Sequence, residues 1–314
     1  MARFDVTVAG ELNLDLILYG LPNVLPPERE LLASDMMLTL GSSSAIVAHN
    51  LAALGSRVGF TSCIGSDQLG QIALERLADA GVDVSTVSRV SGSVKTGLTV
   101  LLQRDGWRNI LTYPGTIFDL KPEYLDFDYL SSAQHFHLSS YYLQKGLQSY
   151  VPEWLQKLRN KGLTISFDCN DDPDDHWTGI QEVLHHVDVF LPNEREAKRI
   201  IGTDDLETAI DQLAEMVPLL VVKLGSKGAM ARRGKEQVFS PAVKVDLVDP
   251  VGAGDSFDAG FLHEYLLGAD LATCLASGNL AGALSVTRPG GTEAFRDLEH
   301  RKRFFSEHQM LPSK

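Results

Sequence analysis

The stretch Asp249-Pro-Val-Gly-Ala-Gly-Asp255-Ser-Phe-Asp-Ala-Gly-Phe-Leu262 sets an extended residue, a turn of small residues and a helix start in immediate succession. Gly252 and Gly254 let the backbone come close to a ligand, and the free N–H groups of a first helical turn point at whatever lies ahead of it. With the helix dipole they make an anion hole suited to a transferring phosphoryl group. Asp255, at the same helix start, faces a hydroxyl approaching that phosphorus from an open cleft and is placed to take its proton. An ordinary glycine turn with Asp255 as a helix cap satisfies the same local pattern, so the surroundings must decide.

Upstream, Asp5 to Gly10 reads as a buried strand and Leu14 to Tyr19 alternates as a half-exposed one. Ser42 to Leu54 carries small and apolar residues at helical spacing and stops at Gly55. Ser66 and Asp67 begin a second helix whose buried side is Leu69, Ala73, Leu77 and Ala80, closed by Gly81. Thr96 to Gln103, Arg104-Asp105-Gly106-Trp107 and a run through Tyr113 then read as a hairpin with Asp-Gly at its turn. With Leu14–Tyr19 and a strand near Met36 to Leu40, this hairpin is expected to form a small separate sheet, a lid drawn from about residues 12–40 and 96–115. Alternation resumes with strands at Gln134–Leu138, Leu163–Asp168, Val187–Leu191 and Leu219–Leu224, and a helix over Gly146–Asn160. Strand-like runs near Val238 and at Val243–Val248 lead into helices at Asp255–Leu267 and Leu271–Val286. The expected fold class is α/β, with a mostly parallel sheet covered on both faces. No repeat or linker divides the 314 residues into independent domains.

The formal charge of -13, with no basic block, argues against nucleic acid and anionic membrane surfaces as partners. It leaves room for phosphate ligands, because a few backbone amides and one magnesium ion can hold ATP in an acidic protein. Cys63, Cys169 and Cys274 are widely spaced with no CxxC, suggesting neither a zinc site nor disulfides but a reducing cytoplasm. The start of the chain lacks the regions of a signal peptide, and no run approaches the ~20 apolar residues of a membrane span.

The Asp249–Leu262 run resembles the C-terminal motif of the ribokinase-like (PfkB) carbohydrate kinases. Other landmarks of that family follow in order across nearly the whole chain: Gly10-Glu-Leu-Asn13-Leu-Asp15, Ile64-Gly65-Ser-Asp67-Gln-Leu-Gly70, Ala80-Gly-Val-Asp83, Asn193-Glu-Arg-Glu196 and Lys223-Leu-Gly225-Ser-Lys-Gly228. The resemblance implies a three-layer αβα core, a β lid closing over the sugar, and transfer of the γ-phosphoryl of ATP to a sugar or nucleoside hydroxyl, with Mg2+ and often a monovalent cation such as K+. It makes Asp255 the base and has Gly252, Ala253 and Gly254 supply the anion hole. Asn193, Lys223, Gly225, Gly228 and Asn279 then serve the nucleotide, Glu196 holds Mg2+ largely through water, and Asp249 helps hold the monovalent cation. On residues alone, Asn193 as a helix cap with Glu196 a solvated acid, and Lys223 as a strand-end charge, read equally well.

For the acceptor, the resemblance points to Asn13 and Asp15 as grips for hydroxyls. The segment Gly41-Ser42-Ser43-Ser44-Ala45-Ile46 aligns with a GGxxxN-type motif, but Ser42 stands for the second glycine and Ile46 for the asparagine. Serine hydroxyls can replace lost hydrogen bonds and isoleucine cannot. Asp168 and Asn170, two apart at a strand's carboxyl end, are expected side by side over the cleft. The acids Asp171, Asp172, Asp174 and Asp175 follow, and a cluster of four should repel carboxylates and phosphates, so a neutral sugar or polyol is expected. Arg108 in the lid is the nearest group for an anion. A nucleoside kinase on the same scaffold is the alternative, favoured if Trp107, Trp177 or Tyr141 lies over the acceptor site. A catalytically silent sugar-binding regulator is a further one. A Rossmann dehydrogenase fits more poorly still, since no GxGxxG follows the first strand. A homodimer through lid strands would cover an exposed sheet edge.

Overall fold

The structure is a computed structural model and describes residues 2–104 and 107–308. The Asp105-Gly106 turn of the hairpin and the Trp107 side chain lie outside the described residues.

Eight strands form the main sheet in the spatial order Glu236–Pro241, Gly228–Arg233, Leu219–Lys223, Val189–Phe190, Thr164–Asp168, Ala133–Ser139, Phe4–Ala9 and Val58–Thr61. The six from Leu219–Lys223 onward run parallel, and the two end strands alternate in direction, each antiparallel to its inner neighbour. Buried on both faces, the parallel strands read as apolar runs, and each face carries its own core. Val8, Phe60 and Val221 pack with Leu51 and Phe261, from the helices Ser43–Leu54 and Ala253–Leu266. Phe136, Phe167 and Phe190 pack on the other side with Trp154 and Leu155, from the helix Val151–Asn160. The result is three layers. All carboxyl ends of the parallel strands open on one edge, where parallel sheets bind ligands.

A second sheet stands apart, in the order Asp35–Leu40, Leu14–Tyr19, Leu98–Arg104 and Trp107–Tyr113. These are the segments expected from the sequence, Leu14–Tyr19 by its half-exposed alternation and the last two by their β-branched and apolar content. The stretch 243–248 forms no strand, contrary to its β-branched pattern. It lies beyond the sheet's end strand and no neighbour pairs with it, so propensity has nothing to act on. The strand that pairs instead is Gly228–Arg233, whose opening the glycines of the preceding loop had obscured. Gly228 has φ 116°, and a Cβ there would run into the Ser240 carbonyl, so only glycine closes this hairpin.

Candidate active site

The turn before the helix Ala253–Leu266 is built on Asp249. Its carboxylate is fully buried and accepts the Val251 N–H on Oδ1 (3.0 Å) and the Gly290 N–H on Oδ2 (3.1 Å). That clasp joins the turn to the segment around Gly290. Gly252 follows with φ 71°, the left-handed value that glycine adopts freely, and the helix starts at the next residue. Ala253 N–H reaches the Pro250 carbonyl at 3.3 Å. Among the described residues the N–H groups of Gly252, Gly254 and Asp255 meet no protein acceptor, and Gly252 to Gly254 are half-exposed. Of the three residues expected to offer N–H groups, Ala253 is therefore the one partly engaged, and Asp255's own amide joins the other two.

Asp255 is more enclosed than the open cleft expected for it, with 8% of its surface exposed. It lies at the floor of the cleft, where Asn170 Nδ2 donates to its Oδ1 at 3.4 Å and Ser43 hydrogen-bonds to it. Burial, and then the charge of Asp168, push its pKa up to about 6, while Lys223, Ser43 and Asn170 pull it down. The carboxylate is thus ionised near neutrality yet basic enough to accept a proton.

Beneath it lies a group of charges from four separate elements. Lys223, ending the central strand, turns its ammonium inward to Asp168 Oδ2 (2.6 Å) and to both oxygens of Asp258 (3.1 Å each). Burial opposes the ammonium, but Asp168, Asp258 and Glu196 outweigh it and hold the Lys223 pKa above its ordinary value. Burial likewise works against Asp168 ionising and Lys223 reverses it, whereas for Asp258 burial prevails and its pKa is raised well above the usual range. Asp168 lies beside Asn170 as expected, with Asn170 Nδ2 donating to its Oδ2 at 3.5 Å, but at 1% exposed it does not open on the cleft. Its Oδ1 takes the Asn170 N–H at 3.2 Å, which bends the chain through φ 54° at Asn170 and leaves only that amide at the surface of the site.

Asn193 and Glu196 form a reciprocal capping box at the start of the helix Glu194–Ile201, with Glu196 N–H on Asn193 Oδ1 (2.9 Å) and Asn193 N–H on Glu196 Oε2 (2.8 Å). Glu196 is buried, not solvated, and burial together with Asp168 pushes its pKa up to about 8. Oxygens of Asp168 and Glu196 and the Cys169 sulfur lie within 4.8 Å of one another. Magnesium wants oxygen ligands and keeps its waters, and the Glu196 oxygens already accept from Asn193, so this donor set fits Mg2+ bound through water rather than directly. Gly225, at φ 57°, has open space where a side chain would project, as a loop facing a ligand requires. Asn279 is buried and spends its amide N–H groups on the Ser240 and Pro241 carbonyls at 3.0 and 3.2 Å, fastening its helix to the sheet's end strand.

On the acceptor side, Asp15 lies against Gly41, whose missing side chain makes the room. Burial, Asp255 and Asp249 push the Asp15 pKa up to about 7, with Thr99 and the exposed Arg108 pulling the other way. Ser42 adopts φ 68°, where glycine would be unstrained, and offsets that by donating to Asn13 Oδ1 at 2.5 Å and accepting the Asn13 N–H at 2.9 Å. Ile46 packs its methyl groups over Gly252 and Gly291. One helical turn on, the fully buried Asn50, which sequence reading missed, donates to Ser256 Oγ (2.9 Å) and to the Gly291 carbonyl (3.0 Å) and so ties its helix to the turn. An amide inside the apolar run Ala48-His49-Asn50-Leu51 was the available signal, as was the charge of Asp258 between Phe257 and Ala259.

The four acids after Asn170 do not form a free repulsive cluster. Asp172 is buried and accepts three backbone N–H groups, from Asp174, His176 and Trp177. Asp171 pairs with Arg195 (2.6 Å), Asp174 with Lys145 (2.9 Å) and Asp175 with Arg199 (3.5 Å). The argument drawn from them for a neutral substrate therefore fails. Trp177 and Tyr141 are core residues, both edge-on to Tyr142, and neither faces the acceptor side.

Residues 3–297 match a family described as pfkB family carbohydrate kinase. The chain is 30% identical over 289 residues to the 2-dehydro-3-deoxygluconokinase of Bacillus subtilis, covering 88% of this chain and 89% of that protein. It is 31% identical over 255 residues to the ATP-dependent ribose-1-phosphate kinase of Halopiger xanaduensis, covering 81% of this chain and 82% of the relative. A ribokinase II structure from E. coli in complex with ATP and Mg2+ matches with a TM-score of 0.84 at 27% identity, over 97% of this chain and 100% of that one.

Proposed function

Since this chain belongs to the pfkB family of carbohydrate kinases and is accordingly an ATP-dependent phosphotransferase, we propose that Asp255 is its base and that the acceptor is a hydroxyl of a small neutral sugar or polyol. The observation that carries this is the first turn of the helix Ala253–Leu266, which sets three N–H groups without protein acceptors beside one carboxylate. The acceptor oxygen attacks the γ-phosphorus, the bond to the β,γ-bridging oxygen breaks, and the hydroxyl proton passes to Asp255 as ADP leaves. The N–H groups of Gly252, Gly254 and Asp255 meet the charge spread over the equatorial oxygens. Glu196 would hold Mg2+ through water, and the ion would supply further neutralisation of the phosphates. Gly225 and Gly228 shape the loop along the nucleotide, and Asn279 keeps only its oxygen for it.

The preference for a neutral acceptor now stands on the pocket itself. Asp15 and Asp255 face it with Asn13, Ser43 and Asn170, and Lys223 is spent on Asp168 and Asp258, so hydroxyl donors suit it and a second anion does not. The two relatives named for 2-dehydro-3-deoxygluconate and ribose 1-phosphate make the opposite case, and turnover of either class across a panel of neutral sugars, sugar acids and sugar phosphates decides between them. Burial of Trp177 and Tyr141 in the core speaks against a nucleoside acceptor. In this reading the small sheet is a lid over the sugar, its outer strands are edges for a homodimer, Asp249 would help hold a K+ ion, and three buried free cysteines suit the cytoplasm. For the central assignment the test is Asp255→Asn, which is near-isosteric. Turnover is expected to fall by about 10²–10⁴-fold with ATP-analogue affinity nearly intact. Unchanged turnover, or a matching loss of nucleotide affinity, overturns it.

A further inference from the structure

Lys223 sits where a nucleotide-loop lysine is expected, yet its ammonium does not reach into the loop. It is buried under the turn, close enough to Gly254 that a Cβ added there would touch Nζ at 3.6 Å. Asp168 holds it from the strand two places away in the sheet and Asp258 from the helix, one turn beyond Asp255. We propose that Lys223 is a positioning residue of the phosphoryl-transfer step: clamped by Asp168 and Asp258, it anchors the first turn of the helix from below and offsets the negative charge crowded around Asp255, without contacting the nucleotide. The proposal rests on the reading of Asp255 as base.

The physical need is clear from the inventory of charges. Asp255 is faced by Asp168 from one strand, Asp15 from the small sheet and Asp258 from its own helix, with Glu196 close to Asp168. Against these stands one buried ammonium. A lone cation so placed is held by geometry and not by solvent, so its field on Asp255 is weakly screened. The buried pair leaves no proton donor or acceptor of Lys223 directed at the cleft, and its contribution passes through the turn.

Lys223→Gln keeps a hydrogen-bonding head and removes the charge, whereas Lys223→Arg keeps the charge. Both are purified, checked by thermal unfolding, and assayed for turnover against pH with saturating Mg·ATP. Because the base must be ionised, activity rises with pH through the Asp255 pKa, and loss of the ammonium moves that acid limb upward by roughly one pH unit. In Lys223→Gln the activity lost at low pH is regained at higher pH, the KM for ATP stays within about twofold, and Lys223→Arg keeps the original limb. A limb that stays put in Lys223→Gln, or a loss confined to the KM for ATP, overturns the proposal. If Lys223→Gln does not fold, Lys223→Arg decides: turnover retained with the acid limb at its wild-type position supports the proposal, and a displaced limb refutes it. Failure of the underlying reading looks different, because then the Asp255→Asn enzyme retains turnover.

Discussion

Replacing Gly252 by alanine attacks the turn through backbone geometry alone and touches no charge. Gly252 holds φ 71°, where a side chain costs about 1–2 kcal/mol, and the new Cβ would lie 2.5 Å from the Gly291 Cα. Ordinary contact begins near 3.4 Å, so one of the two backbones must retreat by about 1 Å in an interior that compresses little. Gly291 cannot retreat freely, because its carbonyl accepts from Asn50 and the adjacent Gly290 N–H is bound to Asp249. The displacement therefore falls on the turn that presents the N–H groups, and a 1 Å error at a reacting centre costs on the order of 10²-fold in rate. Gly254→Ala is the internal control. Its Cβ would meet Lys223 Nζ at an ordinary 3.6 Å, its φ is not positive, and alanine favours a helix by up to about 1 kcal/mol. An ADP-release assay at saturating substrates should show Gly252→Ala down about 100-fold and Gly254→Ala within severalfold of wild type, with thermal melts confirming both folds. Equal effects in the two variants, or a near-normal Gly252→Ala, would show that the turn's geometry does not govern transfer.

Two further outcomes probe the frame around the site. Asp172→Ala orphans three backbone N–H groups, the buried one of Trp177 among them, and should cost about 2–3 kcal/mol, whereas Asp171→Ala breaks one exposed ion pair and should cost under about 1 kcal/mol; denaturant midpoints compare them, and similar costs would refute the division between structural and solvated acids. Burial depresses the His49 pKa from 6.5 to about 4, so the unfolded chain binds its proton first as pH falls; wild type should therefore lose stability relative to His49→Gln from pH 6.5 down to about 4, at roughly 1.4 kcal/mol per pH unit, and a pH-independent difference would refute a buried neutral imidazole.

How far the sequence carries depends on how local each cause is. The helix start at Gly252 and the Asn193–Glu196 cap are decided by residues within four positions of each other, and both are legible without coordinates. Layer order follows from apolar periodicity, and the half-exposed strand Leu14–Tyr19 of the small sheet betrays itself by alternation. The stretch 243–248 misleads for the same reason, since propensity is local and pairing is not. The four acids mislead because their partners Lys145, Arg195 and Arg199 come from other elements, so a charge count along the chain reads as repulsion what the fold has already neutralised.

The charged floor is the extreme case. Lys223 meets Asp168 across 55 residues of chain and Asp258 across 35, and no spacing rule links them. Their burial also reverses what each residue type suggests by itself: a strand-end lysine ordinarily reaches for solvent, and an aspartate inside an apolar helix face ordinarily destabilises it. Each is tolerable only because the other is there, since a buried charge without a partner costs several kcal/mol. An arrangement that expensive persists beside Asp255, the carboxylate proposed as the base. Its location, directly under the turn and one helical turn from Asp255, ties the cost of burying these charges to the chemistry above them rather than to the stability of the fold.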